Sequence, residues 1–238
     1  MTPERHQRIR AMLDARQTDL TVCMENVHKP HNLSAIVRTC DAVGVDHVHA
    51  IWENYKDELR RGTATGSQNW VKVHNHDKIE DAVAQLRNSG MQILATNLSD
   101  SAVDFREIDY TKPTAILMGQ EKYGISDTAL ALADQDIIIP MVGMVQSLNV
   151  SVASALILYE AQRQRQLAGM YQGPCLVSPE EQNRIMFEGG HPIFADVCKR
   201  KGLPIPQIDE HGQIAADDTW WAKVQMNKEA WDHLDDES

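Results

Sequence analysis

Apolar and polar positions recur along the chain with two periods. Near the amino terminus Ile9, Met12 and Leu13 follow helical spacing behind Thr2-Pro3-Glu4, a helix start with Thr as cap and Pro in the first turn. That helix is expected to end near Gln17, with Arg8 and Arg16 on its exposed face. Residues 20–24 form a short apolar run and predict a buried strand. A polar loop at 28–32 leads to Ala35, Ile36, Thr39, Ala42 and Val43, which keep helical spacing up to a helix-ending Gly44. Residues 48–52 predict the next strand, and 53–69, polar and containing Gly62 and Gly66, a long loop. His74 and His76 alternate as on a strand. Ile79, Val83 and Leu86 mark an amphipathic helix over 77–86.

Strands are expected at 92–96 and 113–119, and a short helix from Asp127. The run 136–140 lacks alternation, so both of its faces are expected to be buried. A long helix over 148–166 shows a small, apolar face of Val150, Ala153, Ser154, Ile157 and Leu158. Further on, Ser178-Pro179-Glu180-Glu181 opens a capped helix, Lys199-Arg200-Lys201-Gly202 closes another, and Trp220-Trp221 opens a last one. Strands alternating with helices predict an α/β fold, a mainly parallel sheet with helices on both faces. The expected organisation is an N-terminal helical extension (1–19), a central domain (20–168) and a C-terminal helical extension (169–238).

Composition adds exclusions. With 238 residues, 42% hydrophobic and 24% charged, the chain is ordinary globular material, not collagen-like, coiled-coil or disordered. The net charge of −11 argues at first against a nucleic-acid partner. Residues 209–238, however, hold nine acids and two bases, while 1–20 and 160–208 each carry one excess positive charge. The four cysteines form no CxxC, so neither disulfides nor a cysteine zinc site is expected, which fits a reducing cytosol. The charged N-terminus has no apolar signal core and no apolar run nears 18 residues, so a cytoplasmic protein without membrane contact is expected. GxGxxG, GxxxxGK[ST], HExxH and GxSxG are all missing.

Three segments carry more. Asn32-Leu33-Ser34-Ala35-Ile36-Val37-Arg38-Thr39 lies at a loop-to-helix junction. Ile116-Leu117-Met118-Gly119-Gln120-Glu121-Lys122-Tyr123-Gly124-Ile125 ends a strand, and residues 139–153 join a strand to the long helix. In this order and setting they resemble the three motifs of the SPOUT RNA 2′-O-ribose methyltransferases. Residues 27–32, 104–110 and 160–165 look like the branch that acts on guanosine 18 of tRNA, and the likeness runs from about residue 1 to 170.

The resemblance implies a C-terminal trefoil knot, a homodimer, S-adenosyl-L-methionine (AdoMet) as cofactor, tRNA as substrate and no metal. It assigns Arg38, Asn32 and Glu121 to catalysis. Guanidinium groups keep their protons, so Arg38 suits a clamp on phosphate and transition state better than a base. Asn32 is a holder of the ribose or of Arg38, or a cap of its helix; Glu121 positions Arg38 or RNA. AdoMet is expected at Thr96, Gly119, Ile139, Met141, Ser147, Leu148 and Asn149, with capping of the long helix as a second role for Ser147 and Asn149. RNA phosphates are expected at Arg8, Arg16, Lys29, Arg163 and Arg165. The rivals are a SPOUT enzyme for ribosomal RNA and a non-catalytic tRNA-binding module.

Overall fold

A computed structural model of the chain describes residues 1–51, 70–120 and 122–225. Glu121 and the expected loop at 53–69 lie outside these residues. The chain gathers into two compact units, one of residues 15–176 and one of residues 1–14 with 177–238.

The first helix, α1 (Pro3–Asp14), belongs to the second unit. The larger unit then runs β1 (Leu20–Glu25), α2 (Pro30–Ala42), β2 (His47–Ile51), β3 (Lys72–His76), α3 (Ile79–Asn88), β4 (Gln92–Thr96), β5 (Val103–Asp104), a short 3-10 turn at Phe105–Glu107, β6 (Thr114–Met118), α4 (Asp127–Ala131), β7 (Gln135–Ile138) and α5 (Val150–Leu167). Its seven strands form one sheet in the order β3-β2-β1-β6-β4-β7-β5, and every neighbouring pair is parallel. β1 is buried along its whole length. Leu20, Val22 and Met24 face a core shared with α2 and α5, and Cys23 faces a second core with α3 and α4. Strands covered on both sides need apolar residues at successive positions, which explains the unbroken apolar reading of β1 and β6.

Several expectations need correction. α1 ends at Asp14, three residues early, so Arg16 is not on it. α2 starts at Pro30, inside the expected loop, because proline with its fixed φ suits a first helical position. β7 is not buried on both faces: only Ile137 is buried. Beyond it lies only the two-residue β5, too short to cover it and too short to leave a pattern in sequence.

The smaller unit packs α1 with α6 (Pro179–Gly190), α7 (Pro192–Lys201), the hairpin β8 (Gln207–Ile208) and β9 (Ile214–Ala215), and α8 (Asp218–Gln225) around Phe187, Cys198, Leu203 and Trp220. Trp220 and Trp221 stack edge-on with centroids 4.9 Å apart, and Trp220 Nε1 donates to the Pro204 carbonyl at 3.0 Å. Gly202 stops α7 in the left-handed conformation at φ 69°. No helix among the described residues is long and apolar enough to cross a membrane.

β2 and β3 place four imidazoles together. His49 stacks on His74 and His76, with centroids 5.1 Å apart in both pairs, and His49 Nδ1 shares a 2.8 Å hydrogen bond with His76 Nε2. Burial, then the neighbouring rings, push His49 down to about 3, and burial also lowers His74 and His76. In the unfolded chain these rings take up protons near pH 6.5, so the stability they allow is whole above that pH and is lost as pH falls below it. Urea unfolding is expected to show stability falling as the pH drops from about 7.5 to about 5. His49→Gln should flatten that slope, and an unchanged slope would move the acid sensitivity elsewhere.

Candidate active site

The chain leaves β1 toward β2 on one side of the sheet, whereas β6 and β4 lie on the other. In an open parallel sheet such a switch opens a crevice beyond the carboxyl ends of the strands, the usual place for a nucleotide-like ligand. Here β1, β6, β4 and β7 are consecutive neighbours, and all three motif segments leave from their carboxyl ends.

The first segment lies on α2. Lys29 precedes the helix without a side-chain cap bond, so Asn32 sits in the first turn and is not the cap. Asn32 is 2% exposed. Arg38, six residues on, is about 120° around the helix and about 9 Å along it; it is exposed and has no hydrogen-bond or ion-pair partner among the described residues. The structure therefore does not pair Asn32 with Arg38. It pairs Asn32 with Asn149, whose Nδ2 donates to Asn32 Oδ1 at 3.2 Å.

Asn149 also caps α5, its Oδ1 accepting from the Ser151 backbone N–H at 2.9 Å and from Ser151 Oγ at 2.6 Å. Ser147, the other expected cap, is exposed and lies outside the helix. Residues 141–148 form no helix or strand; Val142 and Met144 lie open at 106% and 98% exposure. Met141 and Leu148 are half-buried, and Ile139 packs against the core below. Thr96 ends β4 with its Oγ1 donating to the Leu117 carbonyl at 3.0 Å.

The second segment turns back on itself. The backbones of Gln120 and Gly124 exchange both hydrogen bonds, at 3.1 and 2.9 Å. A Cβ on Gly119 would lie 2.2 Å from the Gly124 carbonyl carbon and 2.4 Å from the Ile125 nitrogen, so only glycine admits this close return. Glu121 lies outside the described residues.

Two of the expected RNA contacts are corrected. Arg165 is fully buried, and its N–H groups go to the carbonyls of Tyr110 (2.8 Å), Lys112 (3.0 Å) and Asp19 (3.3 Å), to Gln17 (3.0 Å) and to the Asp19 carboxylate. Arg16, 1% exposed, donates to Asp41 at 2.7 Å and to the carbonyls of Val45 and Trp70 at 2.8 Å. Both guanidinium groups are buried and donate to acceptors of the chain itself. Arg8, Lys29 and Arg163 are exposed. Arg163 grips Glu160 with two hydrogen bonds of 2.7 and 2.9 Å, which hold that carboxyl below its ordinary range. The reading of sequence also missed Glu25, which ends β1 beside the crevice, is 4% exposed and binds Ser126 with both oxygens. A single acid closing an apolar strand is the signal that marks it.

The geometry is that of an open parallel α/β sheet whose three motif segments leave from the carboxyl ends of neighbouring strands. The sequence pattern of the SpoU rRNA Methylase family matches residues 19–159, and that of its C-terminal family, SpoU, rRNA methylase, C-terminal, matches residues 163–217. The chain belongs to the SpoU methylase family. It is 66% identical over 226 residues to the tRNA (guanosine(18)-2′-O)-methyltransferase of Escherichia coli K12, covering 94% of this chain and 99% of that protein. The crystal structure of the Aquifex aeolicus TrmH/SpoU tRNA modifying enzyme superposes with a TM-score of 0.72 at 45% identity, over 80% of this chain and 96% of that one. The SpoU methyltransferase AviRb from Streptomyces viridochromogenes, in complex with the cofactor AdoMet, superposes at 0.55 with 28% identity, over 63% of this chain and 59% of that one.

Gly119→Ala should lower the unfolding free energy by about 1–3 kcal/mol, the usual cost of forcing an extra methyl against backbone. Urea titration checks this, and wild-type stability would mean the Gly124 limb retreats freely.

Proposed function

We propose that this protein transfers a methyl group from AdoMet to the ribose 2′-oxygen of guanosine 18 in the D-loop of tRNA. The observation that carries the reading is the meeting of three motif segments at one switch crevice, in a chain that matches the Escherichia coli enzyme over nearly its whole length.

The residues suit AdoMet. The unwound segment 141–148 offers backbone groups, Ile139 and Leu148 offer apolar surface, Thr96 and Asn149 add polar ends, and Gly119 lets the Gly124 limb return close beside it, which sets the course of the loop. When bound, AdoMet supplies a methyl on sulfonium, so the acceptor needs only alignment and loss of one proton. Asn149 and Asn32 hold each other in place at the head of α5. Arg38, exposed and unpaired among the described residues, is available to a phosphate and to charge developing on the 2′-oxygen. A guanidinium offers donors and no acceptor, so the 2′-hydroxyl proton passes to another group, for which a substrate phosphate is the candidate. Glu121 keeps its proposed place in positioning Arg38 or RNA.

tRNA phosphates meet Arg8, Lys29 and Arg163 in this reading, with Arg163 exchanging Glu160 for phosphate. The protein works as a homodimer in the cytoplasm, and its fold carries the trefoil knot. Supporting the dimer, Val152, Leu156 and Tyr159 are 47%, 42% and 52% exposed and form an i, i+4, i+7 apolar stripe on α5.

Labelled AdoMet and unmodified tRNA should give label on the ribose of guanosine 18 alone. Label in ribosomal RNA or in a base would overturn the assignment. Arg38→Ala should lower kcat by at least about 10²-fold, the usual loss for a missing charge-stabilising donor, while calorimetry shows AdoMet still bound. Sedimentation should give twice the mass of 26.8 kDa. Leu156→Asp should shift it toward the monomer, and an unchanged dimer would move the interface off α5.

A further inference from the structure

Glu25 is a buried carboxylate with an unusual set of partners. Its Oε2 accepts the backbone N–H of Ser126 at 2.8 Å and its Oε1 accepts the Ser126 hydroxyl at 2.6 Å, across 101 positions of sequence. No cation pairs with it among the described residues. Ser126 in turn caps α4, its Oγ accepting from the Ala129 N–H at 3.2 Å. The loop of the second motif is thus fixed at three places. It is rooted in β6, closed at its neck by the Gln120–Gly124 pair, and fastened to β1 at its far end by Glu25.

β1 also leads directly into the first motif. Asn26, next in the chain, turns with a positive φ of 54°, and its N–H donates to the Ile51 carbonyl at 3.2 Å. Glu25 therefore stands where the strand feeding the first motif meets the loop of the second. A buried charge is costly to desolvate, and an apolar side chain would fill the place more cheaply if packing were all that mattered. Hydrogen bonds to a carboxylate are strong and directional, which suits a group whose task is to hold one loop at one height.

We infer that Glu25 is a positioning residue, which through Ser126 holds the second-motif loop against β1 at the height that AdoMet binding requires. This rests on the methyltransferase reading above.

Calorimetry with AdoMet, steady-state kinetics with tRNA and thermal unfolding test the inference together. Wild-type protein must bind AdoMet; if it does not, the functional reading fails and not the role of Glu25. Given that binding, Glu25→Ala, which removes both hydrogen bonds to Ser126, is expected to weaken AdoMet about tenfold through the loosened loop, with the KM for tRNA unchanged. Glu25→Gln, which can still accept the Ser126 N–H and donate to its Oγ, should restore binding to within about threefold. Ser126→Ala removes one of the two bonds and should fall between them, and the Glu25→Ala/Ser126→Ala pair should bind no more weakly than Glu25→Ala. Should Glu25→Ala fail to fold, Ser126→Ala against Glu25→Gln carries the test. AdoMet affinity unchanged in folded Glu25→Ala, or in Ser126→Ala in its place, would overturn the inference. So would a parallel rise in the KM for tRNA, or additive losses in the double variant.

Discussion

The buried guanidinium of Arg165 is the tie on which the rest of the larger unit depends. It projects from the last turn of α5 and binds Asp19, the residue before β1, and the Lys112 carbonyl, two residues before β6. The two central strands and the long helix are thereby joined at the foot of the sheet. At the other end of the helix Asn149 meets Asn32. An 18-residue helix is about 27 Å long, so a foot held at Arg165 determines where its head lies over the strands. Removing such a charge from one side of a buried pair leaves the partner unsatisfied, which makes the tie all-or-none.

What local pattern encodes was legible in the sequence. β4 falls on its expected apolar run and α4 starts at the expected Asp127, and Gly119 and Asn149 stand out within motifs. What depends on distant partners was not. Arg16 looks like a surface cation until Asp41, Val45 and Trp70 are seen around it. Arg165 lies two residues from Arg163 with the same chemistry, yet one is buried and the other exposed, because two steps of about 100° put them on nearly opposite sides of the helix. The Asn32–Asn149 bond spans 117 positions and the Glu25–Ser126 bonds 101, and neither has any local trace.

The burial of Arg16 and Arg165 also changes the electrostatic picture. In a chain of net charge −11, these two buried positive groups are already paired with Asp41 and Asp19. Attraction to RNA phosphates then falls to the exposed cations, so orientation of a few groups outweighs the overall sign.

The two ends of the sheet differ from its middle. β5 is two residues long, and β3 shows Lys72, Asn75 and partly open histidines. Open strand edges invite chains to add onto one another without limit, and shortness or charge blunts that tendency. With both margins poor templates for a further strand among the described residues, the proposed homodimer is left to meet through the apolar stripe of a helix, and a two-fold contact of that kind closes on itself instead of growing into a fibre.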